Sequence, residues 1–95
     1  MTKVINGINK VIVDRLRAKA NVLGPRLQEL LTEREYAVYM AKMSGITYAE
    51  IGEKLDISAE RVCQILSKAE HKCNRVIALL MKAMQNREIN INIEF

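Results

Sequence analysis

Two short helical runs with almost nothing between them constrain this chain more than any other feature. Tyr48 to Leu55 reads as a helix, Asp56-Ile57 interrupts it, and Ser58 caps a new start at Ala59. A serine in that position accepts a hydrogen bond from a first-turn N–H that has no partner inside the helix. Helices joined so tightly must cross steeply, and their inner faces need fixed apolar points. Ile51, Leu55, Ile57, Val62 and Ile65 provide them. Gly52 falls where the two helices come closest, and a side chain there would push them apart. The crossing leaves the start of the second helix projecting from the surface, a shape suited to a DNA major groove. A helical hairpin built only to fill a core is the competing explanation. The tight turn, the glycine and the cap, with a capped helix before them, favour the projecting one.

The same capping logic organises what lies upstream. Thr32 with Glu35 forms a capping box, and Ala37, Val38, Met40, Ala41 and Met43 continue that helix to Ser44-Gly45. Thr47 with Glu50 repeats the box and opens the Tyr48 helix. Further back, Val4, Ile5, Ile8, Val11, Ile12, Leu16, Ala20 and Leu23 recur at helical steps over residues 2–23. Asn6-Gly7 among β-branched residues is also a hairpin signal. The helix is preferred because Ile8 to Val13 does not alternate. Gly24-Pro25 then stops it.

Downstream, the helix from Ala59 meets no Gly or Pro and is expected to run to about Asn86, roughly 40 Å at ~1.5 Å per residue. From Glu88 the period changes. Ile89, Ile91, Ile93 and Phe95 alternate with Asn90, Asn92 and Glu94, which is a strand pattern. A strand needs a partner to satisfy its backbone. The expected fold is therefore mainly α: a helix-turn-helix domain of three to five helices, with a long C-terminal helix and a short C-terminal β-strand. One domain spans 1–95: an N-terminal helical segment over 1–25, the helix-turn-helix unit over 26–70, and a helix extension with a strand tail over 71–95.

Composition narrows the function classes. The 95 residues carry a net charge of +4, unevenly spread. Residues 1–31 hold six basic and two acidic groups, 32–57 three and five, and 58–87 six and two. Two basic segments thus flank an acidic one, as a partner of polyanions would have, although plain solubility accounts for +4 equally well. No run is apolar enough to cross a membrane and no signal peptide opens the chain, so the cytoplasm is the expected compartment, with Cys63 and Cys73 as free thiols. Nothing pairs a nucleophile with a base, so an enzyme is not expected. Cys63, His71 and Cys73 invite a metal, but ten residues of helix separate the thiols by about 15 Å, too far for shared coordination. No metal and no cofactor are expected, and His71 reads as a solvated surface residue.

The span from Leu31 to Ala69 resembles region 4 of bacterial sigma factors, the domain that reads the promoter −35 element and rests on RNA polymerase. The residues that carry the resemblance are Leu31-Thr32-Glu33-Arg34-Glu35, Gly45 through Leu55, Ile57-Ser58, Glu60-Arg61-Val62, Gln64-Ile65 and Lys68-Ala69. LuxR/GerE-type domains share part of the pattern and are the near relative. The resemblance implies that Arg34, Thr47 and Tyr48 meet phosphates, which position a protein without reading sequence. It implies that Glu60 and Gln64 face base edges, with Arg61 and Lys68 beside them. With Ser58, Ala59 and Cys63 these residues make up the expected DNA-binding set. Ala59 and Cys63 stand where sigma factors commonly carry arginine, the usual guanine reader. That departure leaves a different target sequence, weaker binding, or another use of the surface. Asp56 stands where glycine is frequent, and Asp tolerates the left-handed backbone better than most residues.

A sigma-like unit without melting or −10-reading domains points to a small bacterial or phage transcription regulator, with double-stranded DNA as partner and RNA polymerase as a second. The alternative is an adaptor that keeps the fold to contact polymerase or a sigma factor instead of DNA. The apolar stripe past Ala69 either packs on the N-terminal segment or joins two copies. A homodimer through Ile77, Leu80, Met81, Met84, Ile89, Ile91, Ile93 and Phe95 is the expected assembly, its two tails pairing as strands across a twofold axis.

Overall fold

Both threonine capping boxes form, and they fix where the central helices begin. Thr32 Oγ1 accepts from the Glu35 N–H at 3.2 Å while Glu35 Oε1 accepts from the Thr32 N–H at 3.0 Å. Thr47 and Glu50 repeat the exchange, both bonds at 3.2 Å. The computed structural model describes the backbone over residues 7–94 and side chains over 9–85. Within those bounds it contains α1 (Gly7–Leu23), α2 (Arg26–Leu30), α3 (Glu33–Met43), α4 (Tyr48–Leu55) and α5 (Ala59–Glu94). The helical reading of the N-terminal segment holds from Gly7 onward, and residues 2–6 lie outside the described part. Gly24 ends α1 with φ +56°, as a helix-stopping glycine does. The single turn of α2 that follows was not expected.

The C-terminal β-strand is overturned. Among the described residues there is no strand, and α5 continues through Glu94 for 36 residues. A lone strand would leave its N–H and C=O groups without partners. A helix satisfies them within the segment, and no Gly or Pro between 59 and 94 interrupts it. At ~1.5 Å per residue α5 is about 54 Å long, which accounts for most of the molecule's 58 Å extent. The residues expected to pair as strands, Ile89, Ile91 and Ile93, sit in this helix, and Phe95 lies outside the described part.

The core forms where α1, α3 and α4 pack on the first half of α5. Leu16, Val38, Val62, Ala69 and Cys73 are fully buried, with Ile51 and Leu66 nearly so. Among the described residues Tyr39 is the one fully buried aromatic, and its hydroxyl donates to Leu16 O at 2.7 Å. Ion pairs add to this packing by binding α1 and α3 to α5. Glu70 accepts from Arg15 Nε at 2.7 Å, Arg15 Nη2 at 2.8 Å and Lys19 Nζ at 2.8 Å, tying α1 down. Glu35, already in its capping box, accepts from Lys72 Nζ at 2.7 Å, tying down α3. Val76, Ile77 and Leu80 pack against this same core. Ile77 and Leu80, expected to face a second copy, are therefore partly committed within the chain.

Candidate nucleic-acid interface

The turn between α4 and α5 sets the geometry of everything exposed on α5. Asp56 takes the left-handed conformation, φ 61° and ψ 44°. Ile57 N–H donates to Gly52 O at 2.9 Å and Asp56 N–H to Glu53 O at 3.4 Å. That pair of bonds is a Schellman motif closed by an aspartate instead of a glycine. It brings Gly52 against the next helix so closely that a Cβ there would lie 2.6 Å from Ile57 O and 3.2 Å from the Ser58 carbonyl carbon. Ser58 Oγ then accepts from the Arg61 N–H at 3.0 Å and starts α5. Residues 58–61 are all exposed.

Four of the residues expected to meet DNA come together on the outer side of α5. Arg34, from the first turn of α3, lines a hollow with Arg61, Gln64 and Lys68, and Thr32, Glu35 and Ile65 complete its lining. Within it Arg61 Nη1 donates to Gln64 Oε1 at 3.4 Å. Glu60 is exposed one residue earlier and does not line the hollow. Two carboxylates near this face, Glu35 and Glu70, are engaged by cations. Burial pushes the Glu35 carboxyl up, but Lys72 and the Thr32 N–H outweigh it and hold the group below its usual range. Burial likewise raises Glu70, and Arg15 with Lys19 outweighs it. Both stay ionised and paired, whereas Glu33 and Glu60 are exposed carboxylates outside these ion pairs.

Thr47, Tyr48 and Cys63 do not join this hollow. Tyr48 is half-buried, and Lys42 Nζ lies 4.1 Å from the centre of its ring. Burial pushes its phenol above the usual range. Thr47 is exposed but occupied as a cap. Cys63 is exposed. Lys42 was not singled out by sequence. It is 3% exposed, donates to Asn9 Oδ1 at 2.7 Å, and burial lowers its ammonium below the usual range. A lysine in a last helical turn looks like an ordinary C-terminal cation, so no sequence signal marks it. His71 is exposed as expected, but it lines a hollow with Arg61, Gln64, Ser67 and Lys68, in company the sequence did not suggest.

No group of three metal-ligating side chains occurs among the described residues. None of their helices is long and apolar enough to cross a membrane. What remains is a capped, tightly turned helix pair with a basic and amide-bearing face on its second helix: a helix-turn-helix protein. The sigma-70 region 4 family model matches residues 21–75, more than half of the chain, and the protein belongs to that family. This is a helix-turn-helix family associated with DNA binding in transcription. No curated protein and no solved structure matches the chain.

Proposed function

We propose that the protein is a sequence-specific DNA-binding transcription regulator, acting in the cytoplasm where bacterial DNA lies. The first turns of α5 enter the major groove. Glu60 and Gln64 read base edges, Arg61 and Lys68 lie beside them, and Arg34 holds a phosphate at the groove wall. The observation that carries this reading is the convergence of Arg34 with Arg61, Gln64 and Lys68 on one exposed face, next to a turn where Gly52 meets the start of α5 with no room for a side chain. With Ala59 and Cys63 where the family commonly has arginine, the preferred sequence differs from a −35 element. Thr47, Tyr48, Ser58, Ala59 and Cys63 act at the margin, where Thr47 and Tyr48 lie along the flanking backbone.

Selection from random duplexes, followed by sequencing of the bound fraction, tests the proposal and should enrich a motif. Gln64→Ala should then cost about 1–3 kcal/mol on that motif and relax one base position. Arg34→Ala should weaken all sequences alike. No binding at low salt, together with capture of RNA polymerase subunits or a sigma factor, would overturn it in favour of an adaptor.

A homodimer is the proposed assembly, formed by the far half of α5 as helices. Met81 and Met84 favour it, being 57% and 63% exposed on the stretch that projects beyond the core. Sedimentation at tens of micromolar should show a dimer, and Met81→Glu with Met84→Glu should return it to monomer. A wild-type monomer at that concentration would refute it.

A further inference from the structure

Among the described residues some cations are held and others are not. Arg15, Lys19 and Lys72 are held by carboxylates, and Lys42 is buried against Asn9 and Tyr48. On α5, beyond its first turn, acidic partners are scarce. Between Arg61 and Gln85 the only acidic residue is Glu70, and it is consumed by Arg15 and Lys19. Among the described residues no carboxylate pairs with Lys68, Arg75 or Lys82. At about 100° per residue, Arg61, Gln64, Lys68, His71, Arg75 and Lys82 fall within an arc of about 80°. That arc lies opposite the buried Val62, Leu66, Ala69 and Cys73, and all six residues are exposed. The hollow beside Arg61 and Lys68 extends to His71, and a second one joins His71 to Arg15 and Lys19.

We propose that this stripe, as far as Arg75, carries the DNA contact past the helix-turn-helix, with His71 and Arg75 on the phosphodiester backbone flanking the groove that takes Arg61 and Gln64. The proposal rests on the DNA-binding role above. Its reach follows from helix length. Lys68, His71 and Arg75 lie about 10, 15 and 21 Å along the axis from Arg61. A major groove is about 12 Å wide and 8.5 Å deep. A straight helix laid obliquely in it must therefore cross the groove wall within the next two turns, where phosphates stand. Lys82, about 32 Å along, lies beyond that wall on the same face.

The test is fluorescence anisotropy with a labelled 30-base-pair random-sequence duplex, titrated from 50 to 200 mM salt. Each phosphate contact contributes about 0.9 to the slope of log affinity against log salt, or about 3.5-fold over that range. Arg75→Gln should lower the slope by about 0.9, His71→Ala should weaken binding, and Lys82→Gln should match wild type. A wild-type slope in Arg75→Gln overturns the proposal, and so do equal losses in Arg75→Gln and Lys82→Gln, which would mark a diffuse net-charge effect. If Arg61→Gln lowers the slope while Arg75→Gln does not, DNA binding stands and only the extension fails. No salt-dependent binding by wild type overturns both.

Discussion

Gly52→Ala should destabilise the protein even though it replaces the second-poorest helix former with the best. An exposed mid-helix glycine changed to alanine gains up to about 1 kcal/mol. Here the new methyl carbon would lie 2.6 Å from Ile57 O, and ordinary contact begins at 3.4 Å. The carbonyl must retreat by about 0.8 Å. It is backbone, held inside the Schellman turn by Asp56 and Ile57, so no rotamer change relieves it. Overpacking of this kind costs about 1–3 kcal/mol, occasionally more. The net expectation is a loss of about 1–2 kcal/mol, or roughly 5–15 °C in Tm for a domain of this size. Thermal melts by circular dichroism measure it, with Glu53→Ala, on the exposed side of α4, as a near-neutral control. If Gly52→Ala melts at or above the wild-type temperature, the close approach of α4 to the start of α5 is refuted. The case for a rigidly presented helix end falls with it.

Other expectations rest on the ion clusters and buried groups. Because Glu35 and Glu70 have folded-state values below the ordinary one, their stabilisation is fully present above the unfolded carboxylate value of about 4.3 and is lost as pH falls through the lower folded value. Urea midpoints should drop on acidification below about pH 5 and drop less in Glu70→Gln; an identical acid decline in that variant contradicts the assignment. Tyr39→Phe removes a buried 2.7 Å bond to Leu16 O and should cost about 0.5–1.5 kcal/mol by urea melts; an unchanged midpoint would deny the bond any net worth. Cys63 is exposed, whereas Cys73 is fully buried with its thiol raised by burial. A thiol reagent should therefore label one cysteine at once and the second only on unfolding, and two fast labels would place Cys73 wrongly.

The parts of this fold that sequence revealed are those fixed by neighbours within a few residues. Thr32, Thr47 and Ser58 choose their helix starts through bonds to residues three positions on, and Asp56 bends the chain by its own backbone preference. The tail misled because alternation of Ile with Asn describes a face, not a partner. With no strand beside it, the segment closes its hydrogen bonds along the helix it already continues. Glu35 shows a further limit. Its capping role is local and visible, but its bond to Lys72 spans 37 positions and exists only once α3 meets α5. The same holds for Arg34 beside Lys68, for Glu70 beneath Arg15, and for buried Lys42, whose partner Asn9 comes from another helix. Of the expected site, the α5 residues were legible as a face, while the separation of Tyr48 and Cys63 from it was not.

The unbroken course of α5 makes residue count a control on phase. Its first turns and its projecting end share one rod of 36 residues with no glycine or proline to act as a swivel. Inserting one residue after Arg75 would advance the far end by only about 1.5 Å but turn it by about 100°. Seven inserted residues would shift it by about 10 Å and return it to within about 20° of its original bearing. Whatever grips the far end is thus indexed azimuthally to the groove-facing end. Insertions that keep the turn should preserve joint action, and those that break it should uncouple the ends while leaving each intact.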